Sequence, residues 1–325
     1  MTQFKAATYF SWRKRLGADV AITKAASRLK KPPLVSIVTP SFNQGEFIEE
    51  TILSVKNQSH PNIEHIIVDG GSTDNTLDIL KKYEGTYNMN WISEPDRGHS
   101  DAVNKGFGMA RGEIIGWLNS DDVYFEKTTV QSVVNAFLER PEVDVMYGDI
   151  VFVSQDSRIL MVRCVPNFSY KRLLRSCFLE QPAVFMKKRV VEDNKLELGL
   201  FALDYEYWLR IGKEYRFHHL PRILAADRNH PGRISISQRA QLLTQSDQIR
   251  PRYGQTHGLR DTLAGYVDKL TSGMPRRLKG LALLLSLTRK RDLAFDAKVS
   301  IDLNTIKCQL FARSLEDISS SEKQG

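Results

Sequence analysis

The sequence predicts an α/β protein: a doubly wound, mostly parallel sheet, then a smaller β/α portion, with helical ends. Two observations predict it. Between residues 34 and 118, short β-branched apolar runs alternate with segments of helical period, the pattern of βαβ units. Polar side chains follow those runs, where such sheets bind ligands. They are Thr39 and Ser41, then Asp69, then Asp96, then Asp121 and Asp122.

The elements follow in order. Residues 34–39 read as a buried strand that Pro40 stops. Phe47, Ile48, Thr51, Ile52 and Val55 lie at helical spacing. Residues 65–68 form a second strand, and a helix opens near Asp74 as its N-cap, with Leu77, Ile79 and Leu80 apolar. Trp91 and Ile92 make a short third strand, 102–110 a helix and 113–118 a fourth strand. Beyond 143 the pattern changes. Residues 143–147 and 150–153 read as two strands, and 159–163 as a hairpin partner. A helix over 204–213 turns Tyr207, Trp208 and Ile211 inward, 222–226 is a strand, and 238–250 is helical. The chain divides into a basic helical arm (1–33), a main domain (34–256, with halves 34–125 and 126–256) and a basic helical tail (257–325).

Composition excludes several classes. The 325 residues (37.1 kDa) are 42% hydrophobic, 26% charged and 9% aromatic, which fits neither disorder, collagen nor a coiled coil. No apolar run approaches the ~20 residues that span a bilayer; the longest, 281–287, contains Ser286. Arg13, Lys14 and Arg15 precede no apolar stretch, so no secretory leader is expected. Cys164, Cys177 and Cys308 have no paired spacing, which fits a reducing cytosol. The net charge of +8 sits at the ends: +7 over 1–31, +4 over 257–325 and −3 between them. A nucleic-acid enzyme carries positive charge at its cleft, so that class is excluded. Basic ends suit peripheral contact with an anionic membrane or serve as solvated faces.

The polar strand ends carry the chemistry. Asp121 and Asp122 are adjacent carboxylates that repel unless a cation screens them, and a hard divalent ion binds such groups together with substrate phosphates. Asp69 can accept from a nucleobase or ribose, with Gly70 and Gly71 permitting close approach. The first strand lacks GxGxxG, and the chain lacks GxxxxGK[ST], so a dinucleotide site is disfavoured and a P-loop excluded. Asp204 can act as general base. His230 can ligate a metal. Arg97, His99 and Lys105 can meet a diphosphate. His218 and His219 are read without a role.

Residues 36–43 (SIVTPSFN) resemble the opening strand of family 2 glycosyltransferases of the GT-A fold. IIVDGGSTDNT within 64–76 looks like that family's second strand and loop, and DRG with DAVNKG over 96–106 like its third crossover. Residues 117–122 are similar to its metal-binding strand end. The likeness covers about 34–250. It implies an inverting transferase that uses a divalent cation (Mn²⁺ or Mg²⁺) and a nucleotide-diphosphate sugar, UDP-sugar favoured. The implied acceptor is a glycan or lipid-linked hydroxyl; the basic ends motivate surface polysaccharide or glycolipid synthesis as the context, with a cytoplasmic chain peripheral on the inner membrane face. Thr39, Pro40, Ser41, Asp69, Arg97, Lys105, Asn119 and Ser120 would hold the nucleotide sugar. Asp121, Asp122 and His230 would hold the metal, and Asp204 would be the base. Two positions depart from the family. Asn119-Ser120-Asp121 has an amide where a first carboxylate is expected, and Leu203-Asp204 has one carboxylate instead of two. These departures sustain an alternative, a degenerate scaffold or binding subunit. A sugar-nucleotide pyrophosphorylase is disfavoured because no Gly-rich basic loop follows the first strand.

Overall fold

β1 (Val35–Ser41) is buried along its whole length and lies between two parallel neighbours. β2 (Ile63–Asp69) pairs on one side and β4 (Ile114–Trp117) on the other, with β3 (Met89–Ser93) beyond β2. The structure is a computed structural model that describes residues 32–254. The expected helical arm before Pro32 and the tail from 257 lie outside the described residues.

Pro40 does not stop β1; it pairs with Val68 inside the strand. The Val38 carbonyl accepts from Leu118 N–H on the β4 side, so Pro40, two residues on, faces the same side. Pairing with β4 ends at Val38, so the missing N–H of Pro40 leaves no ladder bond unmade.

Three helices serve these strands. α1 (Ile48–Lys56) buries Ile48, Thr51, Ile52, Ser54 and Val55, and places Glu49 and Glu50 in its first turn, where the helix dipole favours acids. α2 (Thr76–Tyr83) follows Asn75 at the cap position rather than Asp74. Asp74 braces the turn instead, accepting from Thr76 N–H at 3.0 Å and Gly45 N–H at 2.9 Å. α3 (His99–Met109) crosses β1 closely at Gly106, where an added Cβ would lie 2.3 Å from Val38 Cγ1. Alanine at 106 gains about 0.5–1 kcal/mol of helix propensity but overpacks a buried contact at about 1–3 kcal/mol. Gly106→Ala is therefore expected to lower the melting temperature in a thermal denaturation.

The second half is mixed. β8 (Val184–Lys187) runs antiparallel to β4 and to β6 (Val145–Ser154). The two strands expected over 143–153 are the one strand β6, whose pairing shifts register at Gly148 and Asp149. β7 (Ile159–Arg163) pairs antiparallel with β6, as the hairpin reading expects. β9 (Phe217–Asn229) is longer than the expected strand at 222–226 and runs parallel to β6 to its end. The two-residue β5 (Val123–Tyr124) pairs with β9 through Val123↔Ala226. This register carries the end of β9 across the loop that follows β4. α4 (Thr129–Glu139), α5 (Tyr170–Arg175), α6 (Lys188–Asp193), α7 (Leu203–Ile211), α8 (Ile234–Ser237) and α9 (Arg239–Arg252) complete the described fold. In α7, Tyr207, Trp208 and Ile211 are fully buried, as the helical spacing expects.

Candidate active site

The loop after β4, the short β5 and the end of β9 meet in one corner. Asp121 Oδ2 lies 3.0 Å from His230 Nε2. Of the carboxylates expected to bind metal, Asp121 is the one turned toward His230. The His230 ring packs on Phe47 at 4.6 Å between centroids.

Asp122 turns the other way. It is buried, accepting from Arg228 N–H at 3.0 Å and from Asn119 Nδ2 at 3.4 Å. Burial and the neighbouring charges of Asp121 and Asp227 push its carboxyl well above the ordinary aspartate value. The structure therefore does not bring Asp122 into one ligand set with Asp121 and His230. No group of three His, Cys, Asp or Glu is placed to hold a metal among the described residues. The Asp121–His230 pair offers an oxygen and a nitrogen donor, a set that fits a divalent ion whose other ligands come from a diphosphate.

Arg228 organises this corner, and the sequence reading missed it. Its side chain is 1% exposed. The guanidinium reaches Glu50 at 2.6 Å, Ser157 Oγ at 2.8 Å, the Gln155 carbonyl at 2.9 Å and the Asp121 carbonyl at 3.0 Å. One buried cation thus joins α1, the β6–β7 turn and the loop after β4. The available signal was a charged Asp227-Arg228 pair continuing an apolar strand, since buried charges need partners.

Asn119 is a hub. Trp117 Nε1–H donates to its Oδ1 at 3.0 Å, which makes that atom the acceptor. His99 Nε2, at 3.1 Å from the same oxygen, is then the protonated nitrogen. The Asn119 amide donates to Gln181 Oε1 at 2.9 Å, and Gln181 Nε2 donates to the Trp117 carbonyl at 2.5 Å. A carboxylate at 119 would face Gln181 Oε1 and the Asp122 carboxylate with no proton to give. Asn119→Asp, which restores the family's first acid, is expected to cost about 1–3 kcal/mol of stability and to bring no gain in Mn²⁺ affinity, measured by melting and by metal titration.

The remaining expected residues are placed as follows. Thr39 is fully buried, with Oγ1 2.9 Å from His65 Nε2, and His65 Nδ1 lies 2.7 Å from Tyr87 OH. Burial holds His65 neutral, its pKa pulled down to about 3. Pro40 is buried inside β1. The Ser41 hydroxyl is buried and has no hydrogen-bond partner among the described residues. Asp69 is fully buried and braces its own loop. It accepts from Gly71 N–H (3.1 Å), Ser72 N–H (2.8 Å), Ser72 Oγ (2.5 Å) and Ser93 Oγ (2.7 Å). Ser120 is buried, and its carbonyl accepts from Thr51 Oγ1 at 2.9 Å. Arg97 is largely exposed and pairs with Asp101 at 2.9 Å; Lys105 pairs with Glu94 at 2.8 Å. His99 is held neutral by burial. His219, read as having no role, lies 2.9 Å from Asp149.

Asp204 stands in the first turn of α7, half-buried, with Oδ1 accepting Tyr205 N–H at 2.8 Å. Burial raises its carboxyl above the ordinary aspartate value. Arg233 joins the two ends of the site. It forms a two-pronged ion pair with Asp227, and its charge acts on Asp121, Asp122 and Asp204.

Comparison with known proteins gives a family likeness and a fold. The family model described as "Glycosyl transferase family 2" matches residues 36–191. Hyaluronan synthase of Pasteurella multocida is 30% identical over 200 residues, which are 61% of this chain and 20% of that protein. The putative teichuronic acid biosynthesis glycosyltransferase TuaG of Bacillus subtilis is 41% identical over 110 residues, 33% of this chain and 43% of that one. The matches therefore span less than half of either relative. Among solved structures, S. aureus TarS 1-349 in complex with UDP-GlcNAc superposes with a TM-score of 0.52 at 20% identity, covering 68% of this chain and 71% of that one. Mannosyltransferase PcManGT from Pyrobaculum calidifontis, in complex with GDP-Man and Mn²⁺, gives a TM-score of 0.55 at 19% identity over 91% and 87%. At these identities the likeness carries the fold, which is the GT-A fold the sequence resemblance implies.

Proposed function

We propose, from the premise that the chain belongs to glycosyl transferase family 2, that it transfers a sugar with inversion from a nucleotide-diphosphate donor to an acceptor hydroxyl. The observation that carries this reading is the Asp121–His230 pair, joined electrostatically through Arg233 to Asp204. Asp121 and His230 would hold a Mn²⁺ or Mg²⁺ ion together with the donor's diphosphate. When bound, such an ion neutralises charge on a departing diphosphate.

The chain's own groups do the rest. Arg233 lies where it can meet negative charge developing on the leaving group. Asp204 accepts the proton of the acceptor hydroxyl, and the oxygen bonds to the anomeric carbon from the face opposite the diphosphate. The bond to the diphosphate breaks with its electron pair, so the configuration inverts and no covalent sugar–enzyme bond forms. This is unlike a retaining hydrolase with two close carboxylates. The neighbours crystallised with UDP-GlcNAc and with UDP support a uracil nucleotide as donor. The matched relatives named for hyaluronan and teichuronic acid synthesis support a glycan or lipid-linked acceptor in surface polysaccharide or glycolipid assembly. No described helix is long and apolar enough to cross a membrane; contact with the inner membrane face through the basic ends is part of the proposal, as is the division at 33 and 256.

The test is nucleoside diphosphate release from a panel of UDP- and GDP-sugars with Mn²⁺ and lipid-linked or glycan acceptors. Acceptor-stimulated release, with an inverted anomeric configuration by NMR, is the expected result. Absence of release with every donor sinks the proposal in favour of a binding subunit. The same assay reads the base. Asp204 works only when ionised and burial raises its pKa, so the acid limb of kcat/KM is expected above the range of a free aspartate. An acid limb at the ordinary carboxylate value would remove Asp204 from that role.

A further inference from the structure

We infer that the rim of the Asp204 site is a bilayer-docking surface: Leu198, Phe201, Ile234, Ile236 and Leu243 insert into an anionic phospholipid bilayer and bring the acceptor side of the site to it. The inference rests on the transferase reading for its purpose. It goes beyond contact through the basic ends, because it uses the folded domain.

Exposed apolar side chains gather at this rim. Eight large apolar side chains are exposed among the described residues, and these are five of them. They come from two short stretches. Leu198 and Phe201 precede α7, which carries Asp204 in its first turn. Ile234, Ile236 and Leu243 follow Arg233, whose charge acts on Asp204. The two stretches are strapped together. Gln245 Oε1 accepts from Phe201 N–H at 2.6 Å and Ala202 N–H at 2.9 Å, and Arg252 pairs with Glu197 at 2.9 Å. Leu200 and Leu242 of the same stretches pack against the core, so the exposed residues are what remains after the core has its share.

α5 borders the same rim. Arg250 Nη1 donates to the Arg175 carbonyl at 2.9 Å, and Tyr205 OH donates to the Leu173 carbonyl at 2.7 Å. The charge of these segments has one sign. Residues 164–179 hold Lys171, Arg172 and Arg175 and no acid. Residues 229–246 hold Arg233 and Arg239 and no acid, and 198–203 hold no charge. The domain over 32–256 nevertheless carries −3, so its acids lie elsewhere.

Apolar side chains in a basic, acid-free setting match the interface of an anionic bilayer. The other covers fit worse. A second copy of the chain would set these cations against their own counterparts. The chain's own apolar run at 281–287 is flanked by Arg276, Arg277, Lys279, Arg289, Lys290 and Arg291 and would add positive charge to positive charge. Anionic headgroups over hydrocarbon meet both demands. Asp204 then opens toward the headgroup layer, where the hydroxyl of a lipid-linked acceptor lies.

The experiment is co-sedimentation of the full chain with vesicles of phosphatidylcholine, alone and mixed with phosphatidylglycerol. The native chain is expected on the mixed vesicles. Ile236→Ser combined with Leu243→Ser should lower its partition coefficient about tenfold or more, the loss of two inserted aliphatic side chains. Arg239→Gln should lower it about fivefold, on the mixed vesicles alone. Both apolar positions are exposed, so the double variant should melt as the native chain does and keep its release rate with a soluble acceptor. Its rate with a lipid-linked acceptor in vesicles should fall. The Phe201→Trp chain should show, over the native signal, fluorescence that brominated lipid quenches. No binding of the native chain to mixed vesicles, an unchanged partition of the double variant, or no added quenching in the Phe201→Trp chain overturns the surface. A double variant that loses self-association but not vesicle binding assigns the face to a second copy and overturns it as well. Each of these leaves the transferase reading standing, whereas that reading fails on absent release by the native chain, which vesicle binding does not measure.

Discussion

Asp204→Asn is expected to lower kcat about a thousandfold, within the ~10²–10⁴ that a positioned general base supplies, while nucleotide affinity changes by no more than about twofold. The asparagine keeps the shape and can still accept the Tyr205 N–H, but it cannot take a proton. Loss of fold will not explain the loss of rate. The folded pKa of Asp204 lies above its unfolded value, so ionisation removes stability as pH rises through the folded pKa. The amide escapes that cost, and the variant should melt no lower than the native chain at neutral pH. Steady-state release assays and a melting curve check both halves. Retained kcat would show that another group accepts the acceptor's proton.

Arg228→Met should be the most destabilising substitution in the site. Methionine roughly fills the volume but abandons three backbone carbonyls, the Ser157 hydroxyl and Glu50. Hydrogen bonds from a charged donor are worth about 1.5–3 kcal/mol, and breaking a buried ion pair costs about 3–5 kcal/mol. Glu50 is 41% exposed and water can take over its charge, so a loss near 3 kcal/mol is expected. That corresponds to a melting temperature lower by roughly 6–12 °C. Nucleotide and metal binding should weaken as well, because the Asp121 carbonyl is one of the abandoned acceptors. A native melting point would mean that the β9 end is held without this cation.

Much of the first half of the fold was legible because each strand is a short β-branched run followed by its own polar end. The second half was harder. β6 and β9 are long strands interrupted by residues that break the apolar pattern, Gly148-Asp149 within one and Asp227-Arg228 near the end of the other. Periodicity breaks at such residues even where pairing continues. The same blind spot hid Arg228 and Arg233, since partners from four chain segments decide their roles. Side-chain direction was equally out of reach. Asp121 and Asp122 are adjacent, yet one turns to His230 and the other into the protein. Asp69 lies at the expected strand end, but four donors from its own loop and from Ser93 already surround it. Asn119 reads in the sequence as a missing acid, whereas its amide protons are what tie the loop to Gln181.

The most direct test of the central claim is a thermal-shift series on the full chain with UDP, GDP, dTDP and CMP, each in Mn²⁺ and in EDTA, repeated with Asp121→Ala. A ligand at ~100 times its dissociation constant stabilises a fold by about 2.7 kcal/mol. A nucleoside diphosphate is predicted to raise the native melting point in Mn²⁺, to do so weakly in EDTA, and to lose that metal-dependent shift in Asp121→Ala. No shift with any nucleotide, or an equal shift in EDTA and in Asp121→Ala, would contradict a metal-assisted nucleotide-sugar site at the end of β4.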